Sequence, residues 1–192
     1  MAKAKKKSAG SRSSSGSKRS TSRGNDAIAL LKADHRQVEE YFEQFEKARD
    51  DERKQMLAIN ICNALKVHTT IEEEIFYPAF FEATEDKEIH HEAEVEHNGA
   101  KQLIAEIEAS GPDDDYFDAK VKVLSEMIKH HVKEEEQPGG MFAEARGSEM
   151  DLEQLGEQMA ARKAQLEGEL EQQMPAAARK GRNGARASAQ NR

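Results

Sequence analysis

Four histidines, His35, His68, His97 and His131, recur along this chain at intervals of 33, 29 and 34 residues, and each interval has a turn signal near its midpoint. The signals are Arg49-Asp50-Asp51, then Ala83-Thr84-Glu85-Asp86 beyond a proline, then Gly111-Pro112-Asp113-Asp114-Asp115. If each interval is a helix, a turn and a returning helix, residues equally far from the turn lie level with one another. The four imidazoles then meet in one layer of an antiparallel up-down four-helix bundle. Glu72 and Glu135 each follow a histidine by four residues, one helical turn along the same face. His68 with Glu72, and His131 with Glu135, can therefore each grip a metal from one side.

The apolar pattern places these residues inward without any appeal to a metal. The first helix carries Ile28, Leu31, His35, Val38, Phe42 and Phe45 in steps of three and four, so His35 occupies a slot in a core stripe. Leu57, Ile61, Ala64, His68, Ile71 and Ile75 form the second stripe, and Ala93, His97, Ala100, Ile104 and Ile107 the third. Val121, Leu124, Ile128, His131 and Glu135 form the fourth. A buried, ionised glutamate without a partner is expensive, and here two share a core with four imidazoles. Metal coordination is the simplest single explanation.

These patterns predict helices near 26–48, 52–77, 85–110 and 114–136, and a shorter amphipathic helix near 149–171 bearing Met150, Leu152, Leu155, Met159, Leu166 and Leu170. No segment reads as a strand. The chain also repeats itself: His35 to His97 is 62 residues, while His68 to His131 and Glu72 to Glu135 are each 63. Two hairpins, each a lone histidine followed by His-x-x-x-Glu, are then related by a pseudo-twofold axis through the site. The halves end alike, with Ile75-Phe76-Tyr77-Pro78 after the first glutamates and Gln137-Pro138-Gly139-Gly140-Met141-Phe142 after the second.

Of the 192 residues, 1–24 hold eight Lys or Arg, no acid and runs of Ser and Gly, and 175–192 hold five Lys or Arg and again no acid. Both lack the apolar content to fold and read as disordered basic tails. All 37 acidic residues lie between them, so the net charge of −8 hides a much more negative body. The expected organisation is a basic tail at 1–24, the bundle at 25–148, a C-terminal helix packed on or extending it at 149–174, and a second basic tail at 175–192. A negative body repels phosphate, which argues against specific nucleic-acid recognition and leaves only weak tail-mediated polyanion contact. No apolar stretch approaches a membrane span, and the charged start has no apolar segment after it, so the expectation is a cytoplasmic protein. The single cysteine, Cys62, fits a reducing compartment and reads as a small packing residue.

Over about residues 25–165 the chain resembles the hemerythrin-like, or HHE cation-binding, proteins. The resemblance rests on Asp34-His35-Arg36, His68-Thr69-Thr70-Ile71-Glu72-Glu73, Glu96-His97-Asn98 and His130-His131-Val132-Lys133-Glu134-Glu135. It implies a four-helix bundle around a non-haem di-iron site. His35, His68, His97 and His131 would be terminal ligands, and Glu72 and Glu135 would bridge the two irons, with an oxo or hydroxo bridge between them.

Oxygen carriers of that family typically place a second histidine one turn away on the third helix, whereas Ala93 and Lys101 stand at those offsets from His97. Six side chains and a bridge then leave two positions for water, a small ligand or another carboxylate, for which Glu94, Glu39 and Glu73 are candidates. His90, His91 and His130 read as solvated polar residues. The His-Glu-x-x-His motif of zinc proteases is absent, as is the Glu-x-x-His of ferritin-like sites. Mixed imidazole and carboxylate ligation for two octahedral ions favours iron over tetrahedral zinc. The expected function is binding or sensing of O2, a peroxide or nitric oxide, or the holding of iron. The alternative is a small di-iron oxidase or peroxidase.

Overall fold

The computed structural model describes residues 26–84 and 87–173, and the two expected basic tails lie outside them. The chain forms α1 (Ala27–Lys47), α2 (Asp51–Ile71), a π-helical turn (Glu72–Phe76), α3 (Tyr77–Thr84), α4 (Lys87–Glu108), α5 (Phe117–Glu136), α6 (Met141–Gly147) and α7 (Leu152–Gln173). Helix starts follow the local chemistry. Asp26 and Asp50 accept hydrogen bonds from the backbone N–H groups of Ala29 and Arg53, at 2.8 and 2.9 Å, and so cap α1 and α2.

α1 packs on α2 and α4 on α5, while α2 meets α4 and α1 meets α5, which closes an antiparallel four-helix bundle. No strand occurs among the described residues, and no described helix is long and apolar enough to cross a membrane. α7 crosses the outside of α1, α2 and the π-helical turn, where Lys163 pairs with Asp34 of α1 and Arg162 with Glu74 of the turn.

Two apolar clusters fill the interior. One gathers Val38, Phe42, Phe45, Leu57, Ile61, Cys62, Leu65, Ala100, Ile104, Phe117, Leu124 and Ile128. The other gathers Ile28, Leu31, Ile71, Phe76, Tyr77, Phe80, Ala93, Met141, Phe142 and Met159. In sequence His35 stands between Leu31 and Val38, His68 between Leu65 and Ile71, and His97 between Ala93 and Ala100. A polar layer therefore separates two oily ones. Cys62 lies in the first cluster, where burial pushes its thiol up to about 12, as suits a packing residue.

The helix after His68 runs further than the periodicity predicts and changes its pitch. Pro78 has no N–H to donate, and in an α-helix its ring would collide with the carbonyl of Glu74. The chain widens instead of breaking: the N–H of Tyr77 bonds to the carbonyl of Glu72, an i to i+5 bond, and the helix continues to Thr84. The wider turn rotates the residues beyond it. Ile75, expected in the core stripe, is only half-buried, while Phe76, Tyr77 and Phe80 face inward.

The second half departs from the first at the same place, so its matching sequence end folds differently. Pro138 comes only three residues after Glu135, and α5 stops at Glu136. Gly139 then takes a positive φ of 81°, and α6, a helix the periodicity did not predict, starts at Met141. A Cβ on Gly140 would lie 2.0 Å from the carbonyl oxygen of Glu134, a backbone contact that only glycine permits. Gly140→Ala should therefore displace α6 and cost about 1–3 kcal/mol, as overpacking does. Thermal melts would show it, and an unchanged melting temperature would mean that this turn yields freely.

Candidate metal centre

Each helix of the bundle contributes one imidazole to the polar layer, and the four form two pairs. His35 Nε2 of α1 lies 3.2 Å from His68 Nε2 of α2, and His97 Nε2 of α4 lies 3.2 Å from His131 Nε2 of α5. All four are at least 94% buried. The two carboxylates stand between the pairs. Glu72 Oε2 is 3.2 Å from His68 Nε2 and 3.5 Å from His97 Nε2. Glu135 Oε2 is 3.3 Å from His35 Nε2 and 3.7 Å from His131 Nε2. The structure thus brings together all six residues singled out from the sequence, with both carboxylates reaching across the pairs.

The donor set fits a metal on physical grounds. Both oxygens of Glu72 and both of Glu135 are buried with no hydrogen-bond partner, a costly condition for four polar atoms in a core. Burial and the negative Glu135 push Glu72 well above the ordinary carboxylate range. Burial opposes the charge of Glu135 too, yet His131 and His35 hold it low. Burial and the neighbouring His131 bring His97 down to about 4, leaving its imidazole neutral and able to donate a lone pair. Two nitrogens 3.2 Å apart are separated as they would be if both bound one ion at about 2.1 Å.

A second tier of carboxylates holds the rings from behind. His35 Nδ1 pairs with Glu136 Oε1 at 2.8 Å, His97 Nδ1 with Glu73 Oε1 at 3.0 Å, and His131 Nδ1 with Glu96 Oε2 at 2.8 Å. Asp34 Oδ2 lies 3.7 Å from His68 Nδ1. A carboxylate on the outer ring nitrogen fixes the tautomer that turns the Nε2 lone pair inward, as in metal-bound histidines. Cations anchor this tier in turn: Lys101 on Glu73, Lys32 and Arg36 on Glu136, and Lys163 of α7 on Asp34. His68 with Lys163 lowers Asp34, and Lys101 with His97 lowers Glu73, both against burial.

The sequence reading missed Asp34, Glu96 and Glu136 in this role, although a signal was present. Asp34 and Glu96 each precede a lone histidine and are 62 apart, while Glu73 and Glu136 each follow a layer glutamate and are 63 apart. The repeat therefore extends to the outer carboxylates. Glu73 sits behind His97 and not in the layer, Glu94 is exposed near His90, and Glu39 is exposed and paired with Arg36. His91 and His130 are exposed as expected, but His90 is half-buried against the rings of Tyr77 and Phe81.

The raised Glu72 has a testable consequence for the metal-free protein. Its folded-state value lies above the ordinary 4.5, so its contribution to stability is full below that pH and is lost as pH rises through the raised value. Glu72→Gln removes that titration. The metal-free variant should gain stability relative to metal-free wild type as pH rises from 4.5 towards neutrality. Melts of both proteins across that range would check it, and a difference that does not vary with pH would contradict it.

Comparison with known proteins agrees with this architecture. The crystal structure of a hemerythrin HHE cation binding domain-containing protein from Mycobacterium kansasii superposes with a TM-score of 0.64 at 24% identity, covering 81% of this chain and 98% of that one. A DNA nickase of Nostoc sp. is 26% identical over 146 residues, which is 73% of this chain but 40% of the length of that relative. The profile of the hemerythrin HHE cation binding domain matches residues 26–138, and with its bundle, its imidazole pairs and its two straddling glutamates this chain belongs to that metal-binding family.

Proposed function

We propose that this chain is a cytoplasmic non-haem di-iron protein that binds or senses a small oxidant or gas: O2, a peroxide or nitric oxide. One observation carries the reading. Glu72 reaches both imidazole pairs, with Oε2 at 3.2 Å from His68 and 3.5 Å from His97, and Glu135 does the same from the other side. Carboxylates so placed suit two adjacent ions better than one. His35 and His68 would hold one iron, His97 and His131 the other, and Glu72 and Glu135 would bridge them. Two irons supply a redox pair with exchangeable positions.

The surroundings favour a small ligand. A cavity of about 260 Å³ reaches His35 between Val38, Phe42, Ile128 and Val132, and its mouth is lined by Arg36, Glu39 and Lys129. Its inner walls are apolar and suit an uncharged diatomic or a peroxide. The chain's own part is to orient the imidazoles through Asp34, Glu73, Glu96 and Glu136 and to keep bulk water from the layer. The acids that line the cavity are held in ion pairs, Glu39 with Arg36 and Glu136 with Lys32, Arg36 and His35, which favours binding or sensing over the oxidase or peroxidase alternative.

A second reading comes from the Nostoc relative, whose described activity is DNA nicking. The basic tails could bring a polyanion near, but a phosphodiester cannot enter a layer whose side chains are almost wholly buried. Nicking would then need a diffusible oxidant. Supercoiled plasmid incubated with the iron-loaded chain should stay closed, and relaxation that disappears with iron or with His68→Ala would favour this second reading.

The iron reading itself predicts close to two irons per chain, with Glu72→Ala and Glu135→Ala each losing more than one because each carboxylate serves both ions. Iron analysis of the three proteins tests this, and a single tightly held ion in the wild type would refute the dinuclear reading. Metal that binds only the folded state adds about 2.7 kcal/mol when free iron is about a hundredfold above its Kd. Removing it should lower the melting temperature. Reduced protein that oxidises slowly to a stable diferric form would favour a sensor or store, whereas sustained peroxide turnover would favour the enzyme.

A further inference from the structure

The two halves of the centre are not equivalent. Around the first pair, His35, His68, Glu72 and Glu135 all offer ligand atoms within 4.8 Å of one another, whereas the second pair, His97 and His131, shares such a cluster with Glu72 alone. Glu135 reaches His131 only at 3.7 Å, the longest of the four glutamate–imidazole distances, so the second position is the less closely enclosed of the two. The oxygen that stands there belongs to a residue outside the six: Tyr77, 1% exposed, whose hydroxyl lies 3.2 Å from His97 Nε2, the nitrogen that faces the layer.

The backbone is built to put it there. In an uninterrupted α-helix the residue above Glu72 on the same face would be Phe76. The π-helical turn closes from the Tyr77 N–H to the Glu72 carbonyl, an i to i+5 bond, and brings Tyr77 up beside Glu72 instead. Such turns are uncommon and are frequent at functional sites. In the other half the chain breaks at Pro138, and the ring laid over the matching histidine is Phe142, stacked on His35 at 5.8 Å and 9°. The Tyr77 ring lies over His97 at 5.4 Å. One histidine of the pseudo-symmetric pair is thus covered by a phenol and the other by a phenyl ring with no oxygen to offer.

We infer that Tyr77 is a seventh ligand, a phenolate oxygen to the metal held by His97 and His131. Coordination exchanges the phenol proton for the metal ion, and the proton leaves to solvent. The inference rests on the di-iron reading above and sharpens it. Of the two positions that the six side chains leave exchangeable, Tyr77 takes the one on the His97 side. The small ligand is left the one beside His35, where the larger cavity of about 260 Å³ lies; a smaller one of about 80 Å³ touches His97 and His131.

The test uses the full chain loaded with ferrous iron and oxidised in air, with iron content measured alongside the spectra. A phenolate bound to ferric iron gives a visible charge-transfer band, and excitation within it enhances tyrosine ring vibrations in the Raman spectrum. The wild type should show both, and incorporation of ring-deuterated tyrosine should shift the ring modes. Tyr77→Phe keeps the ring and should retain its iron while losing the band. Tyr116→Phe, which changes an exposed residue, should leave the band intact. A diferric wild type with its full iron and no isotope-sensitive ring modes would overturn the inference while leaving the di-iron reading standing, as would a band that survives Tyr77→Phe. A wild type that binds no iron pair would overturn both. Should Tyr77→Phe fail to hold iron, the isotope shift in a chain carrying both Tyr41→Phe and Tyr116→Phe still decides, since Tyr77 is then its one remaining tyrosine.

Discussion

Two glutamates buried among four imidazoles, with no proton donor to satisfy their oxygens, set the terms on which this bundle exists. The apolar clusters on either side could pack without them, and each glutamate taken alone would be cheaper outside. Their presence is tolerable because each faces two rings whose outer nitrogens are backed by further carboxylates, so that charge alternates outward from the layer. Glu72, His97, Glu73 and Lys101 form one such radial chain, and Glu135, His35, Glu136 and Arg36 another. A cation at the centre completes the alternation. Without one, burial favours the protonated form of Glu72 and the neutral forms of His68 and His97.

The layer was legible in the sequence because it obeys two independent periodicities at once. Steps of three and four placed His35, His68, His97 and His131 in apolar stripes, and the 62- and 63-residue repeat placed them level. Both tests read positions on regular helices, where direction follows from spacing. The outer carboxylates were harder to see because each one serves a ring on another helix. Asp34 is next to His35 in sequence but lies behind His68, and Glu96 is next to His97 but lies behind His131. Adjacency in the chain says nothing about such cross-helix contacts.

Tyr77 escaped the sequence reading for a different reason. A period of 3.6 carried through from His68 points Ile75 inward and Tyr77 away, and it is the π-helical turn that reverses this. Pro78 is the available clue, since a proline inside a helix must either break it or widen it. The helix absorbed it by widening. In the second half a proline three positions closer to the layer glutamate did end the helix, so the same residue type gave a wider turn in one copy and a break in the other. The distance from the last inward side chain decides which.

The cross-helix arrangement of the outer carboxylates has a mechanical consequence. Apolar seams between helices tolerate sliding, because one turn of about 5.4 Å brings a similar set of aliphatic residues into contact. Polar groups inside a bundle remove that freedom, since a slipped helix leaves them facing nothing. Here each of the four helices gives an imidazole to the centre and a carboxylate to a ring on a neighbour: α1 through Asp34 to α2, α4 through Glu96 to α5, the turn after α2 through Glu73 to α4, and α5 through Glu136 to α1. The four links run round the bundle as a closed loop. No helix can shift along its axis without opening two of them, so the centre also serves as the registration mark by which four otherwise slippery cylinders find a single alignment.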